Sequence, residues 1–240
     1  MDTVIRENRE EYMRSLRKWL RETENNAPEE MSRFFEERLE GYEEHMSLWE
    51  KAYERFAELL PASCREILDL GCGTGLEIGE IWKRDPGVAV TGIDLCRSML
   101  DRLQKKYGQG PLTVICGDYL KCDLGRDRWD AVISFESLHH FLPGQKLLLY
   151  RRIWESLRDG GEFLLGDYIA CCPQEEELLR EACLKKRERF QIPEDEYVHF
   201  DIPLTEEHEI RLLNQAGFFE VSVTDSIEGA TILRAERRRR

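Results

Sequence analysis

Two hydrophobic rhythms divide the chain at Pro61. Before it, Phe35, Leu39, Tyr42, Met46, Trp49, Tyr53, Phe56 and Leu60 recur at steps of three and four among charged residues. That spacing predicts two or three amphipathic helices within residues 1–60, with the stripe read as core packing. After Pro61 come short β-type runs, "EILDL", "VAVTGID", "LTVIC", "AVISF" and "EFLLGDYI", separated by helical patterns. This alternation predicts a parallel sheet with helices on both faces. From about residue 174 an acidic helix, "QEEELLREACLKKRERF", breaks the alternation, and a loop through Pro193 and Pro203 follows. A last helix from Thr205 to Ala216 leads through Gly217 into two closing strands, "EVSVTDS" and "ATILRA".

The 240 residues suit one core with attachments. The expected division is a helical cover over 1–60 and a core over 61–240, with an insertion at about 171–204. No apolar run is long enough for a membrane helix, and "MDTVIRENREEYMRSLRKW" is too charged for a signal peptide. A cytoplasmic protein without membrane partners is expected. The formal net charge of −13 argues against a nucleic-acid partner, since such binding relies on lysine and arginine neutralising phosphates. The basic run "RAERRRR" at 234–240 is expected to be a solvated tail. Eight cysteines include no CxxC pair and are expected to be reduced thiols, the vicinal Cys171 and Cys172 included.

The densest chemical signal is "EILDLGCGTGLEIGEI", residues 66–81. A strand, a glycine-rich turn and a helix make a nucleotide-like pocket, because glycine lets a ligand approach the backbone. A dinucleotide site would read GxGxxG, but Gly71, Gly73 and Gly75 give GxGxG with Leu76 following, and no GKS or GKT completes a P-loop. Asp69 before the turn would repel pyrophosphate and could neutralise an ammonium group. Asp94, in "TGIDL" about twenty residues on, is placed for ribose hydroxyls, and Asp118, in "CGDY", for an adenine amine. An ammonium group, a free ribose diol and an adenine without phosphate describe S-adenosylmethionine.

"ILDLGCGTG", "TGIDLCRSML", "CGDYL" and "WDAVISFESLHHF", in this order, resemble the class I S-adenosylmethionine-dependent methyltransferases over roughly residues 64–170 and into the closing strands. The resemblance implies an α/β, Rossmann-like, mostly parallel seven-stranded sheet of order 3-2-1-4-5-7-6 with the last strand antiparallel, and an N-terminal helical extension over the cofactor. It also implies a cofactor-binding set. Asp69, Gly71, Gly73 and Gly75 would line the methionine end, Asp94 the ribose, and Asp118 with Tyr119 the adenine. Leu95 and Met99 would flank the adenine ring, and Phe135 and Glu136 would face the reactive centre.

Methyl transfer needs alignment first and a base only where the acceptor holds a proton. His139 is the catalytic candidate nearest the fourth strand, while His140 in "LHHF" is read as architectural. Tyr168 and His199 are further catalytic candidates, and Tyr42, His45 and Asp167 are substrate-side candidates. Glu136, His139, Asp167, His199 and Asp201 together approach a metal-ligand set, but no local spacing demonstrates one, and no metal is expected. The amino-methylating tetrapeptide NPPY is absent, "SFES" standing in its place. The expected activity is methyl transfer to a small molecule. The alternatives are an enzyme that modifies the cofactor, similar to carboxy-S-adenosylmethionine synthases, and a non-catalytic cofactor-binding sensor.

Overall fold

The computed structural model describes residues 8–238. Its centre is a seven-stranded sheet built from β1 (Glu66–Leu70), β2 (Ala89–Asp94), β3 (Leu112–Cys116), β4 (Trp129–Phe135), β5 (Leu157–Tyr168), β6 (Phe219–Ile227) and β7 (Ala230–Glu236). The strand order is β3-β2-β1-β4-β5-β7-β6. Strands β1 to β5 pair in parallel, and β7 runs antiparallel to both β5 and β6. The expected fold class is the observed one.

Strand periodicity sends alternate residues to opposite faces. Leu68, Leu70, Val132, Phe163 and Leu165 pack with Leu149, Tyr150 and Ile153 of α7 (Pro143–Ser156) and Leu212 and Leu213 of α9 (Glu206–Ala216). The intervening Ile67, Ile133, Leu164 and Ile232 pack on the other face against α4 (Glu50–Leu59), α5 (Leu76–Arg84) and α6 (Arg97–Tyr107). Burial of both faces explains the nearly continuous apolar runs of the central strands. Each fully buried side chain of the size of Leu or Phe contributes about 1.5–3 kcal/mol. Phe56 of α4 is fully buried against the sheet, so the end of the N-terminal segment is part of the core layer.

Among the described residues four α-helices precede β1: α1 (Arg9–Glu22), α2 (Met31–Glu37), α3 (Leu39–Met46) and α4. They exceed the two or three expected because Arg38 and a 3-10 turn at Ser47–Trp49 break one amphipathic stripe into three helices. Asn8 caps α1 by accepting from the Glu11 N–H. Helix α1 buries Tyr12, Met13 and Leu16 against Leu179 and Cys183 of α8 (Pro173–Arg189), together with Phe200 and Ile202. The Met31 N–H donates to the Tyr197 carbonyl and the His199 N–H to the Glu29 carbonyl, each at 2.9 Å. These bonds join the N-terminal helices to the loop after α8 across the C-terminal edge of the sheet.

The basic cluster near the C-terminus corrects one expectation. Arg234 lies on β7 and pairs with Glu162, while Arg237 is 3% exposed, sits over the Trp154 ring and meets Asp127 at 2.6 Å. These arginines belong to the sheet and its edge rather than to a solvated tail; residues 239–240 lie outside the described set. All eight cysteines are free.

Candidate active site

The C-terminal ends of β1, β2, β3 and β4 open onto one crevice, where ligands bind in sheets of this kind. The turn after β1 is left-handed at Gly71, Gly73 and Gly75, with φ of 80°, 48° and 76°. A Cβ at Gly71 would lie 2.1 Å from the Ser137 Oγ, so the close approach of turn and β4 loop requires glycine there. Asp94, at the end of β2, accepts from the Gly73 N–H at 2.9 Å and the Cys96 N–H at 2.8 Å. These bonds aim its carboxylate while each oxygen keeps a lone pair for a hydroxyl. Burial pushes the Asp94 carboxyl up, opposed by the main-chain N–H groups.

Gly71, Gly73, Asp94, Leu95, Met99, Asp118, Tyr119, Phe135 and Glu136 all line this first cavity. Asp118 is already engaged: it accepts from the Leu120 N–H at 2.8 Å and from the Tyr197 hydroxyl at 2.9 Å, with Lys121 at 3.1 Å. Tyr119 shares a 2.9 Å hydrogen bond with Ser137. Glu136 holds a left-handed backbone at φ 48°, a strained position at the end of β4.

Asp69 and Gly75 depart from the expected arrangement, since neither lines the cavity. A Cβ at Gly75 would meet Leu103 at 2.4 Å, which marks helix packing. Asp69 is fully buried, and neither of its oxygens has a hydrogen-bond partner in good geometry. Its neighbour is a second buried carboxyl, Glu77; burial and that proximity push Asp69 well above the usual carboxylate range, and burial brings Glu77 up to about 7. A buried carboxyl pair beside the turn is a place where a nearby cationic group would favour the charged form. With Asp94 aimed at a diol position, the residues fit S-adenosylmethionine.

A second cavity of about 560 Å3 adjoins the first and shares Phe35, Tyr42, Glu136 and His140 with it. The rings of Tyr12, Phe34, Trp49 and Tyr168 line it too, with His45, His139, His199 and Asp201 among the polar groups. Tyr42, His45, His139, Tyr168 and His199 are thus brought together, although they come from four separate stretches of sequence. Asp167 lies behind them, fully buried, with its Oδ1 2.6 Å from His139 Nδ1. Tyr168 is less free than its candidacy implied: its hydroxyl bonds to Glu175 at 2.5 Å and to the Tyr12 hydroxyl at 2.9 Å.

Three of the four histidines of this cavity are pushed in different directions. Burial works against protonation of His139, but Asp167, Asp201 and Glu136 outweigh it and raise it to about 9. Burial together with charge on His139 and His199 pushes His140 well below the usual range. Burial lowers His199 to about 4, and its ring stacks on Phe34 with centroids 3.4 Å apart. His140, read as architectural, lines both cavities. Sequence reasoning gave no role to Ser137, Tyr197 or the cavity face of Phe35. Ser137 directly follows Glu136 and could have been found there, whereas Tyr197 is brought in by a loop whose docking has no local signature.

Comparison with known proteins gives the same class. A methyltransferase-domain family model matches residues 67–161. An uncharacterized methyltransferase of Mycobacterium bovis is 28% identical over 127 residues, covering 47% of this chain and 63% of the relative. The O-methyltransferase cnsE of Penicillium expansum is 28% identical over 177 residues, covering 70% of this chain and 56% of cnsE. The chain therefore spans roughly three-fifths of the length of these curated relatives. Human N-acetylserotonin methyltransferase in complex with S-adenosylmethionine superposes with a TM-score of 0.59 at 19% identity, over 80% of this chain and 53% of that one.

Fold, first cavity and family match agree on S-adenosylmethionine as the cofactor. The family match falls on the part of the sheet that builds the first cavity, from β1 to the start of β5. Among the described residues no helix is long and apolar enough to cross a membrane.

Proposed function

We propose that the chain transfers a methyl group to a small, ring-bearing acceptor held in the 560 Å3 cavity. The observation that carries this reading is the wall common to both cavities, where Phe35, Tyr42, Glu136 and His140 contact either side. A group bound in one cavity is thereby brought within reach of a group bound in the other. When bound, the cofactor supplies a methyl group activated for in-line displacement. Asp94 holds the ribose, the Asp69 and Glu77 pair balances the ammonium, and Tyr119 and Asp118 bound the adenine end.

On the acceptor side the aromatic walls exclude water and restrict a planar molecule to few orientations. Such alignment can supply roughly 7–11 kcal/mol in favourable cases. His139, fixed by Asp167, lines the cavity on the acceptor side. The acidic charge of the chain and the aromatic lining of the cavity support a small molecule over a nucleic acid.

The test is incubation with methyl-labelled S-adenosylmethionine and a library of phenols, hydroxy acids and amines, followed by mass analysis. The expected result is a methylated acceptor and S-adenosylhomocysteine in equal amounts. A carboxylated cofactor in the presence of prephenate would instead establish a cofactor-modifying enzyme. Tight cofactor binding with no S-adenosylhomocysteine formed from any acceptor would establish a sensor.

A further inference from the structure

Two groups of potential metal ligands meet at His139 among the described residues: His139, His140 and Asp201, and Glu136, His139 and Asp167. The ring of His139 separates them. Its Nδ1 is committed to Asp167 Oδ1 at 2.6 Å, with Glu136 Oε2 at 3.8 Å on that side. Its Nε2 faces Asp201 Oδ1 at 3.7 Å, and the same oxygen lies 3.5 Å from His140 Nδ1.

We propose that His139, His140 and Asp201 form a binding site for a divalent transition-metal ion at the wall of the acceptor cavity. Two imidazoles and one carboxylate suit zinc, manganese or iron-type ions. With bonds of about 2.0–2.2 Å to nitrogen and oxygen, neighbouring donors on one ion stand roughly 3–3.5 Å apart. The two separations to Asp201, 3.5 and 3.7 Å, need only a few tenths of an ångström of closure, and all three donors lie within 4.8 Å of one another.

The arrangement behind the ligands is that of a metal site. A coordinating histidine commonly gives its second ring N–H to a carboxylate, which fixes its tautomer and direction. Asp167 does this to His139, and Asp167 is in turn 4.0 Å from Lys146, which pairs with Glu209 at 2.8 Å in a fully buried network. Glu136, Asp167 and Asp201 surround a single histidine, an excess of negative charge that a dication offsets. The competing partner is the Phe200 carbonyl, 3.4 Å from His140 Nδ1, a long contact that coordination would replace.

Ion binding displaces the proton on His139 Nε2 to solvent and leaves the cavity side of the ion open to an acceptor oxygen. What the metal does there rests on the acceptor-cavity reading, but the existence of the site does not. The test is titration of chelator-stripped protein, saturated with S-adenosylhomocysteine, with Co2+ followed by its visible d–d absorption. One Co2+ per chain is expected, displaced by Zn2+. Asp201→Asn and His140→Gln should each weaken Co2+ at least tenfold, and Asp167→Asn by about 10- to 100-fold. S-adenosylhomocysteine binding within twofold of wild type shows that Asp201→Asn and Asp167→Asn are folded, and an unchanged thermal melt shows it for His140→Gln, whose position borders the cofactor cavity. Asp201 is partly exposed, so its isosteric amide keeps the test decisive where His140→Gln does not fold. Absence of stoichiometric Co2+ binding by the wild type, or unchanged affinity in Asp201→Asn, overturns the site. Methyl transfer with no Co2+ binding would leave the proposed function standing and remove only this inference.

Discussion

The two cavities are neighbours that share a wall, yet they are built in opposite ways. The cofactor cavity is made at the ends of consecutive parallel strands, and its main-chain N–H groups and carboxylates come from the turns after β1, β2 and β3. The acceptor cavity is made where α2, α3, the 3-10 turn after β4 and the loop after α8 converge. A strand-end site is fixed by register, so its chemistry stays at short, ordered spacings. A site assembled from docked helices depends on packing over more than a hundred residues, and its spacing carries no signature.

The largest expected effect tests the strand-end side. Asp94→Ala removes the group aimed by Gly73 and Cys96, and two hydrogen bonds to a charged group at about 1.5 kcal/mol each predict about 100-fold weaker S-adenosylhomocysteine binding by calorimetry. Co2+ affinity should not change; a parallel loss of both would show that the cavities fold as one unit. Next is the docked side. His139→Gln should lower kcat for a methylated acceptor at least tenfold, about 1.4 kcal/mol in the barrier, with cofactor affinity within twofold. A loss confined to cofactor binding would assign His139 to the wrong cavity.

A smaller effect probes a residue that crosses between the regions. Tyr197, carried by the loop after α8, donates to Asp118 at 2.9 Å. Tyr197→Phe deletes one partly buried hydrogen bond worth about 0.5–1.5 kcal/mol, so cofactor binding should weaken about two- to tenfold. An unchanged affinity would mean that the loop closes the acceptor side alone.

The smallest effect concerns pH. Glu77 lies at about 7 in the folded protein, above its usual value, so the folded state holds a proton that the unfolded chain has lost between about pH 4.5 and 7. Its contribution is present below the unfolded value and is lost as pH rises through 7. The apoprotein melting temperature should fall by a few degrees across that window, and saturating cofactor, by placing an ammonium beside the ionised pair, should flatten the slope. An equal slope with and without cofactor would separate the pair from the methionine end.

The contrast also explains what was legible in the sequence. Asp94, Leu95, Asp118, Tyr119, Phe135 and Glu136 could be placed on one cavity wall because each sits at or just past a strand end in a fixed order of motifs, and Met99 because it lies in the first turn of α6. Asp69 was read without its partner, since its burial beside Glu77 depends on how α5 docks. The helical stripe from Phe35 to Leu60 predicted core packing and proved mixed. Phe56 is buried against the sheet, but Phe35 and Tyr42 turn into the cavities because Arg38 and the Ser47–Trp49 turn redirect the stripe. Arg234 and Arg237 looked like a tail because cross-strand partners such as Glu162 and Asp127 are distant in sequence.

The most direct measurement is a crystal structure with S-adenosylhomocysteine bound. The expected result is a ribose on Asp94, an ammonium group beside the turn at Gly71, and a sulfur aimed past Glu136 into the cavity lined by His139 and Asp201. A ligand bound elsewhere, or a sulfur facing a wall with no path to that cavity, would contradict a methyltransferase that holds its acceptor there.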